Sequence, residues 1–135
     1  MKKLMLFATV MFFAFGLQAQ KQNGPILTWE KGGTHDFGEI VQGDKVEHTY
    51  KFTNTGNEPL IITNVQPSCG CTLPKSWSRD PIMPGGSGEL VISFSSVGKF
   101  GKQDKITSVV SNAINEGANQ IKFTANIVEK KVSNK

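Results

Sequence analysis

Thiols are scarce in this chain. Cys69 and Cys71 are its only cysteines, one residue apart within QPSCGCTLPKSW, Gln66 to Trp77. Two thiols exclude a disulfide-dense scaffold, so the stability of the domain must come from packing. Apolar residues at helical spacing are also missing after Ile26, and 14 glycines and 6 prolines are available to interrupt such a run, which argues against a helical bundle. There is no long Lys/Arg block with interleaved aromatics, so nucleic acid is not an expected partner. The sequence lacks a Gly-x-Ser-x-Gly elbow, a Walker loop and a His-Glu-x-x-His motif, and enzymatic activity is not expected. It also lacks internal repeats, low-complexity tracts and an apolar run of the roughly 20 residues that span a bilayer.

What is present begins with the pattern of a targeting signal. Lys2 and Lys3 precede the apolar stretch Leu4 to Phe15, and Ala19 supplies a small residue for cleavage. Residues 1–20 are therefore expected to be a signal peptide cut after Ala19 or Gln20, which makes the protein exported, either periplasmic or secreted. No cysteine near that site offers a lipid attachment point, and no stable membrane insertion is expected after cleavage. Without residues 1–20, 13 Lys and Arg stand against 11 Asp and Glu, so the net charge falls from +4 to +2. Residues 130–135, with Lys130, Lys131 and Lys135, read as a basic flexible tail.

Between these ends, strand follows strand. Val46, His48, Tyr50 and Phe52 alternate with polar residues, as do Leu90, Ile92 and Phe94, and then Ile121, Phe123, Ala125 and Ile127. Alternation with period two and one polar face is the signature of antiparallel sheets with one side in water. Turn-rich segments separate the runs: TNTGNEP after Phe52, MPGGSG before Glu89, and SNAINEGAN before the last strand. Strands are expected near 26–30, 35–40, 46–53, 60–66, 88–96, 104–111 and 120–129. The fold class is thus all-β, an immunoglobulin-like antiparallel sandwich of about seven strands over residues 24–129, with a small barrel as the alternative. The longest break in the pattern, from Pro67 to Gly88, carries both cysteines and Trp77. Long loops in compact domains often carry function.

Cα atoms two residues apart lie roughly 5.5 to 7 Å from each other, overlapping the range of about 4.4 to 6.8 Å that a disulfide accepts. Gly70 is expected to supply the bend by taking backbone angles closed to other residues. As a staple the bond is weak: chain entropy gives about 1.6 kcal/mol for a three-residue ring, against about 3 for fifteen residues. Four roles for the pair remain open. The first is a tight-turn disulfide formed in an oxidising compartment. The second is a metal clip in which Cys69 and Cys71 are completed by His35, His48 or Met83, with copper(I) favoured by sulfur ligands and zinc by a two-cysteine, two-histidine set. The third is thiol–disulfide exchange, although the spacing is one residue instead of two and no helix is expected alongside. The fourth is a mixed disulfide with a partner, or a pair of buried thiols. His48 has a structural reading on the inward face of its strand, and His35 and Asp36 read as part of a strand edge. Trp29 is expected in the core, whereas Trp77 suits core or ligand equally. Gly70, Thr72 and Trp77 are the loop's candidate interaction residues.

Four motifs in order carry a resemblance: Asp36-Phe37-Gly38-Glu39, then Phe52, Asn54, Gly56, Pro59 and Leu60, then Ser68-Cys69-Gly70-Cys71-Thr72, then Pro84, Gly85 and Gly88. In these the chain closely resembles the bacterial domain of unknown function 1573, over nearly all of the sequence after the leader. The resemblance implies a sandwich akin to Hydin and major sperm protein domains, in exported proteins of the Gram-negative envelope. It implies no reaction and no cofactor. The function expected is a non-enzymatic module binding a protein or an envelope component, with a periplasmic thiol/disulfide or copper site at Cys69-Gly70-Cys71 as the alternative.

Overall fold

The computed structural model describes residues 23–130, so the expected signal peptide and all of the basic tail except Lys130 lie outside the described residues. Eight strands form two four-stranded sheets. They are β1 (Leu27–Trp29), β2 (Thr34–Val41), β3 (Lys45–Asn54), β4 (Ile62–Pro67), β5 (Thr72–Trp77), β6 (Ser87–Ser95), β7 (Gly101–Ser111) and β8 (Gln120–Val128). One sheet has the order β1-β3-β6-β5 and the other β2-β8-β7-β4. The expected sandwich is present, and the alternating runs lie where period two puts them. Tyr50 and Phe52 of β3, Leu90, Ile92 and Phe94 of β6, and Ile121, Phe123 and Ile127 of β8 all face the shared core.

Two features differ from the sequence reading. β1 and β2 are one stretch of chain that changes sheets at a turn over Glu30–Gly33, where Lys31 takes φ 52°. β1 pairs with β3 antiparallel, but β2 runs parallel to β8, so the sandwich is not wholly antiparallel. The second difference is β5, an eighth strand inside the supposed long loop, paired with β6 from Thr72↔Phe94 to Trp77↔Leu90. Pro74 and the bulge between Pro74 and Ser76 interrupt its alternation, and its position at a sheet edge tolerates both.

Trp29 is core, as expected, and donates its indole Nε1 to the Ala118 carbonyl at 2.9 Å. Tyr50 reaches across the sandwich to donate its hydroxyl to the Lys122 carbonyl at 2.8 Å. Fully burying one side chain such as Phe94 is worth about 1.5–3 kcal/mol. A single core residue thus matches or exceeds the entropic value of the three-residue ring, and the core carries the stability.

The connections gather at two poles. At one pole lie the β2–β3 turn, the β4–β5 crossover with the cysteines, and the β6–β7 turn. There Ser96 N and Oγ both bond the Asp44 carbonyl, at 2.9 and 2.7 Å, and Gln42 Nε2 donates to the Lys99 carbonyl at 2.9 Å. The opposite pole holds the segments between β3 and β4, β5 and β6, and β7 and β8.

Candidate functional site

The cysteine pair sits where the chain crosses between sheets. Ser68 N donates to the Ile106 carbonyl of β7 at 3.1 Å, so the chain still belongs to the β4 sheet. Cys71 O accepts from Ser95 N of β6 at 2.9 Å, which already places it in the other sheet. Cys69, Gly70 and Cys71 make the crossing, and a disulfide joins the two cysteines with Cα atoms 5.4 Å apart. Both cysteines are half-buried, and Cys71 packs against the hydrophobic core. Gly70 is exposed, it is not among the residues with positive φ, and a Cβ placed on it would meet nothing within 4 Å. The expectation that Gly70 supplies forbidden backbone angles is therefore corrected. The bend is made by ordinary backbone, and the glycine leaves the ring uncovered.

Thr72 is 4% exposed and faces inward, directly below the ring. Its Oγ1 lies 3.7 Å from Cys69 Sγ and 4.0 Å from Cys71 Sγ. These are long contacts, in keeping with the weak acceptor character of sulfur in a disulfide. Among the described residues, the Thr72 hydroxyl has no other side-chain partner.

Other residues singled out by sequence are elsewhere. Trp77 lies at the far end of β5, near the opposite pole, half-buried against the core with the Arg79 guanidinium carbon 4.5 Å from its ring centre. Among the described residues its buried Nε1 has no acceptor. The stretch Gln66 to Trp77 is thus a strand end, a crossover and a strand, and its cysteines and tryptophan do not share a surface. Met83 is exposed on the β5–β6 connection at that same opposite pole. Among the described residues, no three His, Cys, Asp or Glu side chains come together as a metal site, so Cys69, Cys71 and His35 are not assembled into one.

His35 and His48 instead stack on each other, with ring centres 3.5 Å apart and planes 10° from parallel. One comes from β2 and the other from β3, so the stack bridges the two sheets along the flank. Phe37 stands edge-on to His35 at 4.6 Å and Tyr50 edge-on to His48 at 4.7 Å. Burial pushes both imidazoles below the ordinary histidine pKa, helped by the Lys31 cation at His35 and by His35 and then Lys31 at His48. Asp36 is held below the usual carboxylate value chiefly by the Gly38 N–H, which donates to it at 2.8 Å. Burial raises the Tyr50 hydroxyl far above its ordinary value, so it acts as a neutral donor. The sequence placed His48 on an inward face, but a contact made across two sheets leaves no local signal.

What sequence reading missed is the company the ring keeps. Among the described residues, Leu73, Val97, Phe100 and Met83 are the most exposed large apolar side chains, at 61–63%. The first three lie at the disulfide pole, together with the half-exposed Val41. The available signal was Val97-Gly98-Lys99-Phe100, two apolar residues flanking a glycine in a stretch whose neighbours are polar.

Comparison with known proteins agrees with this architecture. The family described as Protein of unknown function (DUF1573) matches residues 27–127. No curated protein matches the chain. Among solved structures, a protein of unknown function from Porphyromonas gingivalis W83 is similar with TM-score 0.65 and 19% identity, covering 81% of this chain and 50% of that one. The ASH/PapD-like domain 7 of human CEP192 has TM-score 0.58 and 10% identity, covering 80% and 89%. The secreted serine protease VesC from Vibrio cholerae has TM-score 0.58 and 17% identity, covering 78% of this chain and 23% of its own. This chain thus spans half of the Porphyromonas protein and under a quarter of the protease. These likenesses concern the fold, an immunoglobulin-like sandwich. Among the described residues, no helix is long and apolar enough to cross a membrane.

Proposed function

The chain belongs to the DUF1573 family, and from that premise we propose that it is an exported, non-enzymatic module that docks another protein through the pole carrying Cys69 and Cys71. The observation that carries this reading is where the most exposed apolar side chains fall. Among the described residues, three of the four most exposed lie at the disulfide pole, while toward the opposite pole Met83 is comparably exposed and Ile61, Val110 and Ile114 match half-exposed Val41. Apolar side chains held out in water by a rigid scaffold are characteristic of interaction surfaces. The β2–β3 and β6–β7 turns that present Val41, Val97 and Phe100 are tied together by Ser96 and Gln42, so the surface is largely preformed. A preformed surface loses little freedom on binding.

A photo-crosslinking residue placed at Phe100, and separately at Met83, tests this in the native host envelope. The expected result is a discrete crosslinked adduct from position 100 and none from position 83. Adducts from position 83 alone, or from neither position, would overturn the reading.

A further inference from the structure

We propose that the Cys69–Cys71 disulfide is exchange-active and accepts two electrons from a dithiol on an exported partner protein. Four observations converge on this. The ring has only three residues, so closing it gains little chain entropy and little opposes its opening. It lies at a sheet crossover with exposed Ser68 before it and exposed Gly70 within it, and the glycine has no side chain to roof the sulfurs. Both cysteines are half-buried, and of the two it is Cys71 that packs against the hydrophobic core. Beneath both sits the hydroxyl of buried Thr72, a hydrogen-bond donor that a neutral disulfide hardly uses. A thiolate accepts such a bond far better than a disulfide sulfur does.

The step balances as follows. A partner thiolate attacks Cys69 Sγ, the Cys69–Cys71 bond breaks, and its electron pair leaves on Cys71 Sγ. That thiolate stays against the core, and the Thr72 hydroxyl, 4.0 Å from it in the closed ring and 3.7 Å from Cys69, turns to donate to it. The partner's second thiolate then attacks its own mixed sulfur, which releases Cys69 as a thiolate and closes a disulfide on the partner. Two electrons pass to the ring, and the two protons lost by the partner dithiol end on Cys69 and Cys71. The exchange is stoichiometric, one partner disulfide for each chain. Exposed Leu73 and Phe100 lie at the same pole as the ring and supply apolar contact for a protein carrying the dithiol.

The protein substrate rests on the docking reading above, whereas the exchange does not, so the two can fail separately. The exchange is tested on the purified oxidised chain with reduced glutathione and with reduced dithiothreitol, under conditions that keep its circular dichroism spectrum native. With glutathione, acid quenching, alkylation and peptide mapping should place the adduct on Cys69 and the alkyl group on Cys71. With dithiothreitol, the ring should open one-for-one with oxidised reagent in the folded protein. Thr72→Val should slow the opening about tenfold, the effect of losing one hydrogen bond to the leaving sulfur, and move its pH profile upward, while Thr72→Ser restores both. The proposal is overturned by a ring that opens only when the chain unfolds, by adducts on Cys71 or equally on both sulfurs, or by Thr72→Val reacting at the wild-type rate.

Discussion

At the pole away from the cysteines, the sandwich is closed by asparagine side chains. Asn54 is wholly buried, and its amide binds four backbone groups: the N–H of Ile26 and of Gly56 at 3.3 and 3.0 Å, and the carbonyls of Glu58 and Ile82 at 2.7 and 2.8 Å. Asn115 holds both the N–H and the carbonyl of Leu27, and Asn112 ties Ile61 to Pro59 in the same manner. The other pole is closed by wholly buried Ser96, which bonds the Val41 and Asp44 carbonyls, together with a covalent ring of three residues, and it leaves Leu73, Val97 and Phe100 in water. A buried amide that satisfies four backbone groups cannot be removed without orphaning them, while a short disulfide closes a loop that was already short. The disulfide is therefore a less important closure for stability than Asn54, and the side chains exposed at its pole are free to serve binding.

The sharpest way to break this comparison is to cut each pole in turn. Asn54→Ala leaves several backbone groups buried and unpaired and is expected to cost about 3 kcal/mol, near the upper end for one substitution. Cys69→Ser/Cys71→Ser should cost no more than about 1.6 kcal/mol, the entropy of the small ring. Denaturant unfolding of the two variants beside the wild type reads both values. If the double serine variant were the less stable, the disulfide would be the main staple and the assignment of roles would reverse.

Sequence alone revealed the sandwich because inward and outward residues alternate along β3, β6 and β8, and that pattern is local. It did not reveal β5, where Pro74 and the outward Leu73 disturb the alternation, so a strand passed for loop. Nor did it reveal the parallel pairing of β2 with β8, since a parallel partner far along the chain leaves no turn between the two. Asn54 stood in a turn-rich stretch and read as turn chemistry. In the structure it ends β3, and its side chain organises three separate segments. The cysteines were conspicuous in sequence, but their place at a sheet crossover, the Thr72 hydroxyl beneath them and the distance to Trp77 depend on how strands pair.

A pH titration separates the flank from both poles. His35 and His48 have folded pKa values below the ordinary 6.5, so the unfolded chain binds protons more readily between those values. The stability they contribute is complete above pH 6.5 and is lost as pH falls through the folded values. Protonating both rings of a stack also sets two cations together, near Lys31 and with Asp36 as the local counter-charge. Melting temperature is expected to fall from pH 7 to pH 5 with the same slope in wild type and in Cys69→Ser/Cys71→Ser, and with a smaller slope in His48→Gln. A slope that changed with the cysteines would tie the flank to the ring.

The smallest expected effect concerns the glycines. A Cβ on Gly56 would run into the backbone of Gly24 and Ile26, so that glycine is demanded by the close approach of two chain segments at the asparagine pole. Gly70 has open space around it and no positive φ, so its neighbours make no such demand. Gly70→Ala should leave unfolding stability within about 0.5 kcal/mol of wild type, as for a surface substitution away from special geometry. The ring should still close, which alkylation before and after reduction would show. A methyl group beside the sulfurs would instead hinder an incoming thiolate, so exchange with dithiothreitol should slow while stability does not move. Loss of stability in Gly70→Ala would mean that the crossover needs glycine for its backbone after all, and the contrast between the two poles would shrink to one of exposure.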